Sequence, residues 1–260
     1  MSKSHASTLG KVVWYDLMTS DREKALDFYT KLFGWEIEYF ESSDCGKYPM
    51  WKHADKHLGG AMSLPEDEDV PSHWITYVTV ADVDVTLEKI KELGGQVCVP
   101  ATDIPNIGRF AVITDPQGAV ISPYTCASLE EQPESAQPVA GQFCWTELST
   151  PNPDGARDFY TAIFGWDSRD MPMGEAGTYT IFRRGEKDES GMMPTPVGCQ
   201  APANWLPYIA VDNTDSVTAA ARELGAQVHV EPQDIPDVGR FAVIADPTGA
   251  SFGIITLKAK

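Results

Sequence analysis

The sequence has no unbroken apolar run near the ~18 residues that a membrane-spanning helix needs. Its opening, MSKSHASTLGK, has no apolar core of the secretory kind, so a cytoplasmic location is expected. Positive charge is scarce: 20 Lys and Arg stand against 38 Asp and Glu, for a formal net charge of −18. A field of that sign disfavours nucleic acid and anionic membrane surfaces as partners. Cysteine is sparse too, with Cys45, Cys98, Cys126, Cys144 and Cys199. An odd number without metal-like spacing points to reduced thiols rather than a disulfide framework. No P-loop, nucleophile elbow or dinucleotide fingerprint occurs.

What is present is one stretch written twice. DIPNIGRFAVITDPQGA runs from Asp103 to Ala119, and DIPDVGRFAVIADPTGA from Asp234 to Ala250. The offset of 131 residues holds without a gap from residues 11–125 onto 142–256, with about forty of the 115 aligned positions identical. A period this long marks a domain duplication, since solenoid units run to only about 20–50 residues. The expected division is 1–126 for the first module, 127–141 for a linker rich in Pro, Glu, Ser and Ala, and 142–260 for the second module.

Within the first copy, KVVWYDLM alternates as a strand, with Trp14 and Asp16 on one face and Tyr15 and Leu17 on the other. Thr19-Ser20-Asp21 offers capping oxygens to a helix over 22–33, which Gly34 ends. Strands are expected at 35–41, 46–53, 58–64 and 73–80. A second helix opens at Asp82-Val83-Asp84, followed by strands at 96–99, 109–114 and 119–125. Asp115-Pro116-Gln117-Gly118 reads as a tight turn. Each copy is thus βαβββ twice over.

That order, the repeated FYxxxFGW and the GRFAVxxDPxGA hairpin resemble the vicinal oxygen chelate superfamily. That superfamily holds glyoxalase I, the bleomycin- and fosfomycin-resistance proteins and the extradiol dioxygenases. The chain is most similar to its tandem two-module type. The resemblance implies an α+β fold in which each module pairs two βαβββ motifs into a curved mixed sheet with a concave cavity. It also implies a divalent metal held by His and Glu on the first, fourth, fifth and eighth strands, acting as a Lewis acid on two substrate oxygens. Carried onto this sequence, the first-strand position falls on Trp14 and Trp145 and the eighth-strand position on Ser122 and Gly253. The fourth-strand position falls at 61–63 and 192–194. The fifth falls at or beside Ile75 and Leu206, with His73 and Asn204 two residues earlier. These residue types do not make a ligand set. The expectation is a small-molecule-binding protein, monomeric or homodimeric, without the family's metal site. A glyoxalase-like lyase or dioxygenase-like oxidoreductase with a divalent metal in an altered site is the alternative.

Several residues could carry recognition. Asp16 and Glu147 share a repeat position on the face of Trp14 and Trp145. They read either as hydrogen-bond acceptors or general bases for a ligand, or as structural acids tied to nearby donors. Arg109 and Arg240 follow Gly in the repeated hairpin and could clamp an anion or form structural ion pairs. Trp14, Trp51, Trp74, Trp145 and Trp205 could line an aromatic pocket, with core packing as the other reading. Ser122, His73 and Asn204 complete the candidate ligand-binding set. His5, His53, His57 and His229 are expected to be solvated, and Gly60 and Gly191 to be turn or bulge glycines.

Overall fold

The computed structural model describes residues 8–42, 46–65, 70–127, 138–174, 177–199 and 201–258. Most of the linker and part of the acidic loop after Pro65 lie outside the described residues, as do Cys45 and His5. The first copy runs β1 (Val12–Thr19), α1 (Arg22–Phe33), β2 (Glu36–Ser42), β3 (Gly46–His53), β4 (Lys56–Ser63), β5 (His73–Thr79), α2 (Val83–Glu92), β6 (Gln96–Ile104), β7 (Gly108–Thr114) and β8 (Val120–Cys126). The second runs β9 (Phe143–Thr150), α3 (Pro153–Phe164), β10 (Asp167–Pro172), β11 (Thr178–Arg184), β12 (Lys187–Pro194), β13 (Asn204–Ala210), α4 (Thr214–Glu223), β14 (Gln227–Ile235), β15 (Gly239–Ala245) and β16 (Ser251–Leu257).

Each copy forms one eight-stranded mixed sheet. The orders are β2-β3-β4-β1-β5-β8-β7-β6 and, position for position, β10-β11-β12-β9-β13-β16-β15-β14. β1 pairs with β4 in parallel and β5 with β8 in parallel, while the hairpins are antiparallel. This is the α+β fold that the doubled βαβββ pattern implies.

Local chemistry sets the helix ends. Asp21 accepts from Lys24 N at 3.1 Å to cap α1, and Asn152 accepts from Gly155 N at 3.2 Å to cap α3. Both helices end on a left-handed glycine, Gly34 at φ 69° and Gly165 at φ 68°. Pro153 stands in the first turn of α3, where a missing N–H costs nothing. β6 runs on to Ile104, well past the expected end at Val99. It lies at a sheet edge, and register shifts at Val97/Val99 and Val99/Thr102 let it carry Pro100.

Packing divides the chain differently from sequence. One compact unit comprises Met1–Trp14, Thr76–Glu134 and Trp145–Trp205; the other comprises Tyr15–Ile75, Ser135–Cys144 and Leu206–Lys260. Each unit therefore draws on both copies. In the first unit, Phe159, Tyr160, Phe164 and Trp166 join Phe182, Trp205 and the apolar residues of α2, β7 and β8 in one core. In the second, Phe28, Tyr29, Trp35, Trp51, Trp74 and Phe252 form a mostly aromatic core, with Tyr29 5.3 Å from Trp51 and 5.4 Å from Trp74.

Reciprocal hydrogen bonds fasten the copies inside these units. Trp35 Nε1 donates to Gly141 O at 2.7 Å, and Trp166 Nε1 donates to Gly10 O at 2.7 Å. Tyr29 donates to Asp246 at 3.1 Å, and Tyr160 donates to Asp115 at 2.9 Å. The repeated FYxxxFGW of one copy is thus completed by the start and the DPxGA turn of the other.

Candidate functional site

Strand alternation sorts β9 into two faces. Thr146 and Leu148 are buried beneath it, while Trp145 and Glu147 stand half-buried on the opposite face. Tyr179, on β11, joins them in the first unit. Its hydroxyl donates to Glu147 Oε2 at 2.8 Å and accepts from Trp145 Nε1 at 2.8 Å. Burial, reinforced by the Glu147 charge, pushes the Tyr179 phenol far above its usual range. It stays protonated and acts as a donor to the carboxylate.

The second unit holds the repeat mates of these residues. Asp16, on β1, is 5% exposed and accepts a short hydrogen bond from the Tyr48 hydroxyl of β3. The intervening strand makes room for each ring. Gly60 lies in register with Asp16, and Gly191 with Glu147. A Cβ on Gly60 would collide with the Tyr48 hydroxyl, and one on Gly191 with that of Tyr179. These glycines are therefore not the turn or bulge residues expected. They sit inside β4 and β12 as floors for a tyrosine. Tyr48 and Tyr179 were missing from the candidate set, although they recur at the same offset and alternate onto the right strand face.

Other candidates are placed elsewhere. Trp51 is 0% exposed, and Trp74 and Trp205 are 4% exposed, all three packed in the cores. Trp74 Nε1 donates to Tyr29 and Trp205 Nε1 to Tyr160, which commits their polar handles as well. Their expected place on a pocket wall is corrected by that burial. Arg109 grips Asp84 through Nε at 2.8 Å and Nη2 at 3.0 Å, and Asp103 through Nη1 at 2.8 Å. Arg240 holds Asp215 and Asp234 in the same way. Both guanidinium forks are engaged by carboxylates of their own unit. His73 Nδ1 donates to Pro71 O at 2.8 Å, and Asn204 Nδ2 donates to Pro202 O at 2.8 Å. The two side chains do one local job, closing the turn before β5 and β13. Of the four histidines expected to be solvated, His53 instead contacts Ala140 O at 3.0 Å.

Two aromatic groups were not foreseen. In the first unit Tyr77 packs against Phe110 at 5.9 Å and Tyr124 at 6.5 Å. In the second, Tyr208 lies 6.4 Å from Phe241.

The positions that would hold a divalent metal do not fit one. Trp14 and Trp145 offer no ligand atom. Ser122 is fully buried and donates its hydroxyl to Ala111 O at 2.7 Å. Gly253 has no side chain, and the Tyr208 ring fills the space where one would stand. Among the described residues no group of three or more His, Cys, Asp or Glu is arranged to hold an ion. Cys98, Cys126, Cys144 and Cys199 form no disulfide among the described residues, and burial pushes Cys144 up to about 12, which keeps it protonated. No helix among the described residues is long and apolar enough to cross a membrane.

Comparison with known proteins agrees with this architecture. The Mn(II)-bound glyoxalase from Novosphingobium aromaticivorans superposes with a TM-score of 0.65 at 16% identity, covering 97% of this chain and 84% of that one. The 2,3-dioxygenase LapB from Pseudomonas sp. KL28 gives 0.63 at 15% identity, covering 97% and 94%. In sequence, the chain is 36% identical over 263 residues to a Mycobacterium bovis protein named "Putative glyoxylase CFP32", covering 98% of each. It is 29% identical to the anthracycline biosynthesis protein DnrV of Streptomyces peucetius, covering 96% of this chain and 94% of that one. The family model for the glyoxalase/bleomycin resistance protein/dioxygenase superfamily matches residues 11–122 and again 142–254. With both copies matched and the doubled βαβββ sheets in place, the chain belongs to that superfamily.

Proposed function

We propose that the chain is a cytoplasmic small-molecule-binding member of the superfamily that recognises its ligand through the carboxylate–tyrosine pair of each copy. It does so without a divalent metal at the inherited positions. The observation that carries this reading is the retention of acid, tyrosine and glycine at one register in both copies: Asp16, Tyr48 and Gly60, and Glu147, Tyr179 and Gly191. A carboxylate held away from water costs free energy that an apolar residue would not. Its presence twice, with Gly set to admit its partner, suits a binding group. The aromatic sets around Tyr77 and Tyr208 suit a flat ligand. So does the likeness to an anthracycline biosynthesis protein, since anthracyclines are fused-ring compounds.

The test is a fluorescence titration of the purified chain with hydroxypyrene, a flat four-ring phenol. Asp16→Asn and Glu147→Gln should keep the melting temperature and weaken binding by about 1.5–3 kcal/mol, the usual worth of a charged hydrogen bond. Variants that melt far lower and bind normally would show the acids to be scaffold. Elemental analysis of the same protein is the second arm. A stoichiometric manganese, zinc, nickel or iron ion per copy would favour a metal-dependent lyase or dioxygenase instead.

A further inference from the structure

The two copies differ at one point of the same surface. In the first unit, α2 and the edge strand β6 flank a groove of about 470 Å³. Val85, Leu87, Pro100 and Ala101 give it apolar walls, and Lys91 and Arg109 line it as well. The volume lies within the ~300–1,000 Å³ of small-molecule sites. In the second unit the matching residues are Ser216, Thr218, Glu231 and Pro232, and an ion pair crosses the strip. Arg222 on α4 donates through Nη2 to Glu231 on β14. Arg222 is the repeat mate of Lys91, and Glu231 that of Pro100. Both strands make the same register shift here, at Val99/Thr102 and at Val230/Gln233, so the mates hold equivalent places. Pro100 gives Lys91 no counterpart to Glu231. Among the described residues the Lys91 ammonium turns back instead to Glu88 on its own helix, at 2.8 Å. That pair is exposed and weak, and it uses one of three N–H donors. Arg109 is committed to Asp84 and Asp103.

From this difference we propose that the groove between α2 and β6 binds a small carboxylic acid with an apolar body. The carboxylate pairs with Lys91 as Glu231 pairs with Arg222, and the body covers Val85, Pro100 and Ala101. Val85 gains most, since it is 67% exposed and a ligand takes its apolar surface out of water. The second copy thus holds within its own chain the contact that the first makes with a ligand. The net charge of −18 opposes any anion at long range. The apolar walls therefore supply most of the affinity, and Lys91 selects the acid over a neutral analogue. The site shares no residue with the carboxylate–tyrosine pairs. It does not rest on the binding function proposed above, and its failure leaves that function standing.

The experiment titrates the isotope-labelled full chain with indole-3-acetate and with indole-3-acetamide, and follows the backbone amide shifts by NMR. The two probes share one shape and differ in charge. Fragments of this size should bind in the millimolar range. Shifts should concentrate in residues 83–92 and 96–104. The acid should bind about 3- to 5-fold tighter than the amide, the worth of an exposed ion pair. Lys91→Gln should bring the two probes to equal affinity. Pro100→Glu should build the ion pair of the second copy across the groove and weaken the acid at least about 10-fold. Its melting temperature should hold, because Glu231 already fits at this register shift. Equal binding of acid and amide by the wild-type chain overturns the proposal. So do shifts confined to other elements, acid binding that survives Pro100→Glu, a preference for the acid that survives Lys91→Gln, or no shift at millimolar acid.

Discussion

Tyr160 donates its hydroxyl to Asp115 at 2.9 Å, joining a helix of the second copy to a hairpin turn of the first. Asp115 serves the turn as well, since its Oδ1 accepts from Gln117 N at 2.8 Å and Ala119 N at 2.9 Å. Trp205 Nε1 donates in turn to Tyr160 at 2.9 Å. Tyr29, Asp246 and Trp74 reproduce the chain of bonds in the second unit. The strongest sequence motifs of the two copies are thus each other's partners. Tyr160→Phe removes one hydroxyl and leaves Trp205 N–H and an Asp115 oxygen unpaired in a core. It should cost about 1–3 kcal/mol of stability. A double-mutant cycle with Asp115→Asn in chemical denaturation checks it, and additive effects would show that the two groups are not coupled.

Gly191→Ala tests the floor beneath Tyr179. The new methyl collides with the phenol, so the ring must swing off β12 and give up both Glu147 and Trp145. The expected result is a stability loss of about 1–3 kcal/mol from overpacking. Loss of the Trp145 indole N–H signal shift in an NMR spectrum should accompany it. An unchanged indole resonance would show that the glycine is not needed for the pair.

Arg109→Ala should leave ligand binding untouched. The guanidinium is turned to Asp84 and Asp103 on an exposed surface, where it holds the Asp84 carboxyl below its usual range. Such surface pairs contribute little and fade in salt. The melting temperature should fall by no more than a few degrees, and less in high salt. Weakened hydroxypyrene binding would return Arg109 to the site.

Glu189 gives a pH signature. It is mostly buried beside Arg184 in the first unit, where its Oε1 accepts from Val12 N at 2.6 Å and its Oε2 from Arg184 Nε at 3.3 Å. Burial outweighs both donors and pushes its carboxyl above the ordinary glutamate value of 4.5. In the window between 4.5 and the raised value, the folded chain holds a proton that the unfolded chain has lost. Stability from this group therefore falls as pH rises through that window and is fully present only below it. Glu189→Gln has no such proton. The stability of wild type relative to this variant should increase as pH is lowered from neutral toward 4.5, measured by urea denaturation across pH. A difference that shrinks on acidification would mean that Arg184 and Val12 dominate instead.

Much of the fold was legible because its signals are local. Asp21 and Gly34 bound the first helix by capping chemistry alone, and α1 runs over the 22–33 span that its caps predict. The faces of β1 and β9 followed from alternation, which put Asp16 opposite Tyr15 and Leu17. The site was harder, because its partners are remote. Tyr48 reaches Asp16 across a whole strand, and only the thinning of that strand at Gly60 admits it. A glycine in a strand reads as a bulge until its neighbour is known. The tryptophans misled for a related reason: Trp51, Trp74 and Trp205 lie in strands that also have a site face, and parity alone does not say which face is core.

The interleaving of the copies has a consequence for how this protein can change. A repeat whose halves packed separately could lose one half, or exchange it for a relative's, and keep the other intact. Here Asp115 answers to Tyr160 and Asp246 to Tyr29, so each core depends on residues of both halves. The duplicated segment therefore behaves as one unit, in which each half constrains what can be substituted in the other.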